Sequence, residues 1–433
     1  MSLSLPSLPN RQPPAANAVQ HAIKIPLLRD AHTHPLLYAA FMDGVDLGRD
    51  AAEGREAAVE RVRRDAESRN GEGWTIAYAW HSGRYPLFAA DFDDLPPVFV
   101  LNLSLHGLIV NRSAMEVLQR HDPEAADRLG DQAWIERNLR RVLNLLAGGV
   151  TAGALRRFFD HLLREHGVFH AEEMLLVEER EIRLFDEAGL ANRSSFWAAP
   201  EQYEALPPDL KARVHGIKLF TDGALGAWSA ALHQPYRGAS HRGDLVYEPA
   251  ELVRTLERCL AFGKPLAIHA IGDRALDELI AALLETRAAK AVPVRVEHAQ
   301  FISEQAARTA RDVGLTLCMQ PNFSDDSRHY LDRLPPGYPE RNNPFRMLID
   351  VAGFVPGRDL LLGSDGMPHG FAEGLRQSLF SPLPQQALTL EEFVAGYCLA
   401  DTSAGRIEVE IDRGRRSVAG RVVLPEGAPA PLP

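Results

Sequence analysis

Between Val214 and Asp365 the chain alternates short runs that are apolar at nearly every position with longer stretches whose apolar residues recur every three to four. The runs VHGIKLFTD (from Val214), KPLAIHAIGD (from Lys264), PVRVEHAQ (from Pro293), LTLCMQP (from Leu315) and DLLLGSD (from Asp359) predict strands buried on both faces. The stretches EPAELVRTLERCLAF, RALDELIAALLETRAA and SEQAARTARDV carry the period of helices that lay one face on a core. Buried strands separated by such helices predict parallel βα units and an α/β class. Upstream, IPLLRDAH, GVFHAEE and SSFWAAP raise the strand candidates to eight, the number that closes a (β/α)8 TIM-type barrel.

Residues 38–165 break this rhythm. They hold a charged helical stretch, AAEGREAAVERVRRDAESRN, two strand-like runs, WTIAYAW and PVFVLNLS, and further helical patterns. This reads as a long insertion after the first strand, lying over the barrel mouth where loops shape a substrate pocket. Residues 1–24, rich in Pro, Ser and Asn, read as a flexible tail. The barrel is expected over 25–400, and residues 401–433 read as short strands followed by a Pro-rich end.

Composition narrows the function classes. The 433 residues are 45% hydrophobic and 24% charged, enough to bury a large core. A net charge of −11, from 47 Lys+Arg against 58 Asp+Glu, argues against nucleic acid or an anionic membrane surface as the main partner. The first twenty residues carry no signal-peptide pattern and no run is long enough to span a membrane, so the expected location is cytoplasmic. Cys259, Cys318 and Cys398 lack metal-finger spacing and read as free thiols of a reducing compartment.

Candidate chemistry sits where the strands end. The first closes on His32 and His34, which point the same way if the strand continues through them. The fourth carries Lys218, the fifth His269, the sixth His298 and the eighth Asp365. A lone strand-end histidine is commonly a hydrogen-bonded structural residue, and an SD pair commonly a turn or helix cap. In a parallel barrel, however, the C-terminal strand ends meet at one mouth, so these six residues can reach a common divalent metal. Lys218 has only donors as an ammonium; a neutral, buried amine can add carbon dioxide to give a carbamate, or the residue can stay cationic and pair with Asp222 or a substrate carboxylate.

The successive motifs RDAHTH, HGIKLFTDGALG, AIHAIGDRALD, RVEHAQF and LLGSDGMP resemble those of the amidohydrolase superfamily, specifically its YtcJ-like branch, which includes N-substituted formamide deformylases. WTIAYAW, LSLHGLIVNRSAMEVL and EHGVFHAEEM extend the resemblance from about Ile25 to Cys398. It implies a (β/α)8 barrel with one or two divalent metals, usually zinc, acting on a small-molecule substrate by hydrolysing amide or related C–N bonds other than peptide bonds. By motif position it places the ligands on His32, His34, Lys218 (carboxylated), His269, His298 and Asp365, with Asp365 also carrying the proton. Family members usually open with a substantial β-sandwich segment, whereas thirty-one residues precede His32 here. The small β-sandwich domain is therefore expected to be reduced or absent, with a homo-oligomer as one way to recover stability.

These residue types imply a mechanism in which a metal lowers the pKa of a water towards about 7, Asp365 shuttles its proton, and no nucleophilic Ser or Cys is needed. The same chemistry would serve an ester or phosphoester, and a catalytically silent, metal-stapled barrel is the reading from a different class. His106, His369 and Trp228 are candidate substrate contacts, His106 with a surface-loop alternative and Trp228 with a packed-aromatic one. Asp222 and Asp273 could orient ligands from behind or cap the helices that follow. His170 reads equally as barrel packing or chemistry.

Overall fold

The computed structural model describes residues 23–48, 54–69, 74–102, 107–131, 134–135, 138, 141–143, 150–175 and 177–427. Among these residues fifteen strands, taken in chain order, form three sheets. The largest joins β2 (Leu28–Thr33), β7 (Val168–Glu173), β8 (Ser194–Ala198), β9 (Val214–Phe220), β10 (Leu266–Ala270), β11 (Val294–His298), β12 (Thr316–Met319) and β13 (Leu360–Leu362), every neighbouring pair parallel. These are the eight runs expected from the sequence. β10 and β11 are buried at all five positions, as strands covered by helices outside and by other strands' side chains inside must be. Helices Pro249–Leu260, Asp273–Thr286 and Glu304–Asp312 make the outer return paths, each with its apolar stripe in the core.

The ring closes where β13 meets β2. The Ser364 amide donates to Asp30 Oδ1 at 2.9 Å and the Asp365 amide to the His32 carbonyl at 2.7 Å. The approach is so close that a Cβ on Gly363 would stand 2.6 Å from the His32 nitrogen, so glycine is required there.

Inside the insertion, helix Pro35–Phe41 leaves β2 directly, and a second sheet follows in the order β3 (Val45–Asp46), β4 (Thr75–Trp80), β5 (Val98–Asn102), β6 (Leu108–Val110). The two strand-like runs became β4 and β5, and their inner faces share a small core with Leu47, Val62 and Phe92. Asn111 fastens this unit: its Oδ1 accepts from the amides of Ala114 and Val98, and its Nδ2 donates to the carbonyls of Phe92, Leu95 and Pro96. Helix Ala152–His166 then returns the chain to β7.

Among the described residues, the small domain is one antiparallel sheet of β1 (Ile23–Pro26), β14 (Arg406–Asp412) and β15 (Ser417–Val423), order β1-β14-β15. Its inward residues Ile25, Ile407, Val409 and Ile411 join the barrel core. Ile23 and Lys24 thus belong to a strand and not to the tail, because β14 supplies the ladder partner that a bare terminus lacks; residues 1–22 lie outside the described ones. All three cysteines are free thiols. Among the described residues no helix is long and apolar enough to cross a membrane.

Candidate metal centre and active site

The six strand-end candidates come together. Asp365 Oδ1 lies 2.9 Å from His34 Nε2 and 3.8 Å from His32 Nε2, and Lys218 Nζ lies 3.5 Å from His32 Nε2. The ring centres of His32 and His298 are 4.6 Å apart, and those of His269 and His298 4.5 Å. One ligand atom each from His32, His298 and Asp365 falls within 4.8 Å of the other two.

Partners behind the rings decide which nitrogen faces inward. His32 Nδ1 donates to Glu297 Oε2 at 2.6 Å, so its lone pair sits on Nε2. His298 Nδ1 donates to Gln320 Oε1 at 2.7 Å with the same result. His269 Nε2 lies 3.1 Å from the Gly223 carbonyl, an acceptor only, which puts the ring's lone pair on Nδ1. Burial, then the charge of Lys218 or of neighbouring rings, holds His32 and His298 neutral by driving their pKa values well below the usual histidine range. Burial pushes Lys218 down to about 8, against the carboxylates of Glu297 and Asp365, which favour its charged form. His34 Nδ1 is buried without a partner. Imidazole lone pairs, the Asp365 carboxylate and a lysine amine eased towards its neutral form by burial make a donor set that fits a divalent metal ion.

The backbone is strained at the same place. His298 (φ +69°), Ala299 (φ +46°) and Asp365 (φ +56°) occupy the left-handed region that disfavours side chains. Such outliers cluster at functional sites, where surrounding structure over-determines them.

Above the cluster opens a cavity whose walls are largely apolar, among them Leu143 from the insertion, Leu175, Phe220, Leu225, Phe323 and Met367. Phe323 stacks on His298 with ring centres 5.7 Å apart and planes 5° from parallel.

Other candidates are placed elsewhere. His369 does not line the cavity; it is buried behind β2, with Nε2 2.7 Å from Thr33 Oγ1 and its ring against Tyr38 and Phe158. The peptide turn after Asp365 carries it away from the mouth. Trp228 is also absent from the lining and packs under the Arg333 guanidinium and against Tyr236, the packed-aromatic alternative. Asp273 is no ligand orienter: its carboxylate ties the amide of His233, the Tyr338 hydroxyl and Arg341. Asp222 does not cap the short helix that follows it; its carboxylate clamps the amides of Ala231, Ile271 and Gly272, and its Oδ1 lies 3.5 Å from His269 Nε2, behind that ring. His170 bonds Ser195 at 3.0 Å on the barrel wall. His106 lies outside the described residues.

Glu297 and Gln320 were not anticipated. Inside the barrel Glu297 belongs to a charge network in which Arg295 bonds both Glu297 and Glu172, and Trp197 Nε1 donates to Glu172 at 2.7 Å. The available signal was an Arg-x-Glu pair within an otherwise apolar strand, since such charges stay buried only when paired. Gln320, one residue past β12, gives no comparable signal.

Comparison with known proteins agrees with this architecture. The amidohydrolase family model matches residues 22–369. A Bacillus subtilis (strain 168) protein described as an amidohydrolase, YtcJ, is 32% identical over 120 residues, 27% of this chain and 23% of that one. The Arabidopsis thaliana protein LONG AFTER FAR-RED 3 is 31% identical over 111 residues, 25% of this chain and 19% of that one. These matches thus span about a quarter of the chain and less of the relatives' own length. Among solved structures, an uncharacterized metal-dependent hydrolase from Pyrococcus furiosus superposes with a TM-score of 0.61 at 23% identity, covering 85% of this chain and 80% of that one. Its counterpart from Pyrococcus horikoshii OT3 gives 0.60 at 24% identity, covering 82% and 74%; both share the fold. With its barrel, its ordered motifs and a family match over most of its length, the chain belongs to the amidohydrolase family.

Proposed function

We propose that the protein is a metal-dependent hydrolase that cleaves the C–N bond of a small amide, formamide or cyclic amide, using zinc held in part by a carbamate on Lys218. The observation that carries this reading is the meeting of His32, His34, Lys218, His269, His298 and Asp365 at the floor of an apolar cavity. The structural relatives described as metal-dependent hydrolases support it.

When bound, a divalent ion supplies Lewis-acid polarisation and lowers the pKa of water. The four imidazoles would hold it through the lone pairs that Glu297, Gln320 and Gly223 leave facing inward on three of them. Lys218 becomes an anionic donor when its neutral amine bonds the carbon of carbon dioxide and releases a proton. Asp365 is the group placed to move protons: 15% of its side chain is exposed, against 9% for His34 and 2% for His32, so it reaches the cavity. It takes a proton from the attacking water and returns it to the departing nitrogen. Apolar walls keep bulk water from competing.

Metal analysis of the purified protein, with a screen of N-formyl amines against esters and phosphoesters, tests the reading. Asp365→Asn is expected to retain metal while kcat falls by about 10²–10⁴; undiminished turnover would refute the assigned mechanism.

A further inference from the structure

Asp365 sits in the turn 364–367, which closes with the Met367 amide donating to the Ser364 carbonyl at 3.2 Å. Asp365 (φ +56°) and Gly366 (φ +70°) both lie in the left-handed region, which is unfavourable for a residue with a Cβ unless its surroundings impose it. Here they impose it from three sides. On the barrel side the Ser364 amide and hydroxyl donate to the Asp30 carboxylate, the Asp365 amide to the His32 carbonyl, and the Gly366 amide to Ser364 Oγ at 2.8 Å.

The other two sides are held by side chains outside the metal cluster. Asn322, in the 3₁₀ helix Pro321–Asp325 after β12, donates through Nδ2 to the carbonyls of Ser364, at 2.9 Å, and of Met367. Both partners only accept, so the amide must face the turn with its NH₂. Tyr38, on helix Pro35–Phe41 of the insertion, donates its hydroxyl to the Asp365 carbonyl at 3.1 Å. Its ring lies flat against the turn, where a Cβ on Gly366 would collide with it. His369 packs nearly perpendicular to that ring, centres 4.7 Å apart, and is itself tied to Thr33 Oγ1 at 2.7 Å. Asp365, although it lies past the end of β13, is thereby kept with Oδ1 2.9 Å from His34 Nε2.

We propose that Tyr38 and Asn322 are positioning residues for the Asp365 carboxylate, with His369 steadying Tyr38, so that the insertion and the loop after β12 together fix the group that moves protons. Removing either donor frees a carbonyl of the turn and lets its left-handed backbone relax, which carries the carboxylate away from His34. A misplacement of about 1 Å can lower turnover about 100-fold. This rests on the hydrolase reading above, so the test includes a readout that needs neither substrate nor metal.

Tyr38→Phe removes only the hydroxyl, and Asn322→Leu keeps a similar volume without the donors. In hydrogen exchange of the full-length protein stripped of metal, the amides of 365–367 are expected to exchange about 2–10-fold faster in each variant, the worth of one hydrogen bond, with those of β10 and β11 unchanged. With an N-formyl amine that the parent turns over, kcat should fall about ten-fold or more while KM stays within about two-fold and the metal bound per chain is unchanged, a split that a general loss of stability would not give. Exchange at 365–367 equal to the parent's in both variants overturns the proposal, and so does a loosened turn with undiminished kcat. If Asn322→Leu fails to fold, Tyr38→Phe decides alone. A turn loosened in the variants of a parent that hydrolyses no N-formyl amine, ester or phosphoester keeps the positioning of Asp365 and overturns the hydrolase; parental exchange in variants of an active enzyme does the reverse.

Discussion

Glu297 sets the tautomer of His32, and through it the direction of a lone pair at the centre of the site. Its Oε2 accepts from His32 Nδ1 at 2.6 Å while Oε1 takes the Arg295 guanidinium. Glu297→Gln keeps the volume but weakens both roles. Such partners typically contribute 10–100-fold to metal affinity, so the variant is expected to lose a bound divalent ion about 10–100 times more readily in a chelator competition. Unchanged affinity would mean that the ring is oriented without this carboxylate. At this scale the sequence was readable where chemistry is encoded in residue type: His32, His34, His269, His298, Lys218 and Asp365 meet as their strand-end positions implied. It misled where only orientation matters. His369 stands four residues past Asp365 yet turns behind β2 to Thr33.

The barrel strands, as elements, announce themselves because burial on both faces leaves long apolar runs with few alternatives. β3 and β6 of the insertion have two and three residues, too few to show a period, and exist because β4 and β5 offer edges to pair with. The seam between β13 and β2 carries an element-scale prediction. On Gly363 a methyl group would sit 2.6 Å from the His32 nitrogen and 2.9 Å from its Cβ, against backbone that cannot swing aside. Gly363→Ala should cost about 1–3 kcal/mol in denaturant unfolding, as overpacking does, and displace His32 from Asp365 so that metal affinity falls as well. An alanine variant as stable and as metal-tight as the parent would show that the ring does not close as described.

Across the whole molecule, the N-terminal strand β1 and the C-terminal pair β14 and β15 clasp the barrel from outside, and the core runs through all three. The metal cluster links β2, β9, β10, β11 and β13, so a bound ion ties strands from most of the ring to one point. Removing it with a chelator is expected to lower the melting temperature by several degrees, and adding back a divalent metal to restore it. A ligand at a thousand times its dissociation constant stabilises the native state by about 4 kcal/mol. An identical melting curve with and without chelator would argue that no ion is bound at this cluster.

The order of elements, the eight-strand count and the identity of the converging polar residues follow from the sequence alone, because burial imposes a pattern on each strand and ligand chemistry imposes residue types. The lone-pair directions, the left-handed turns at His298 and Asp365 and the closure at Gly363 exist only once distant strands touch. They depend on contacts between residues hundreds of positions apart, and no local window of sequence contains both partners.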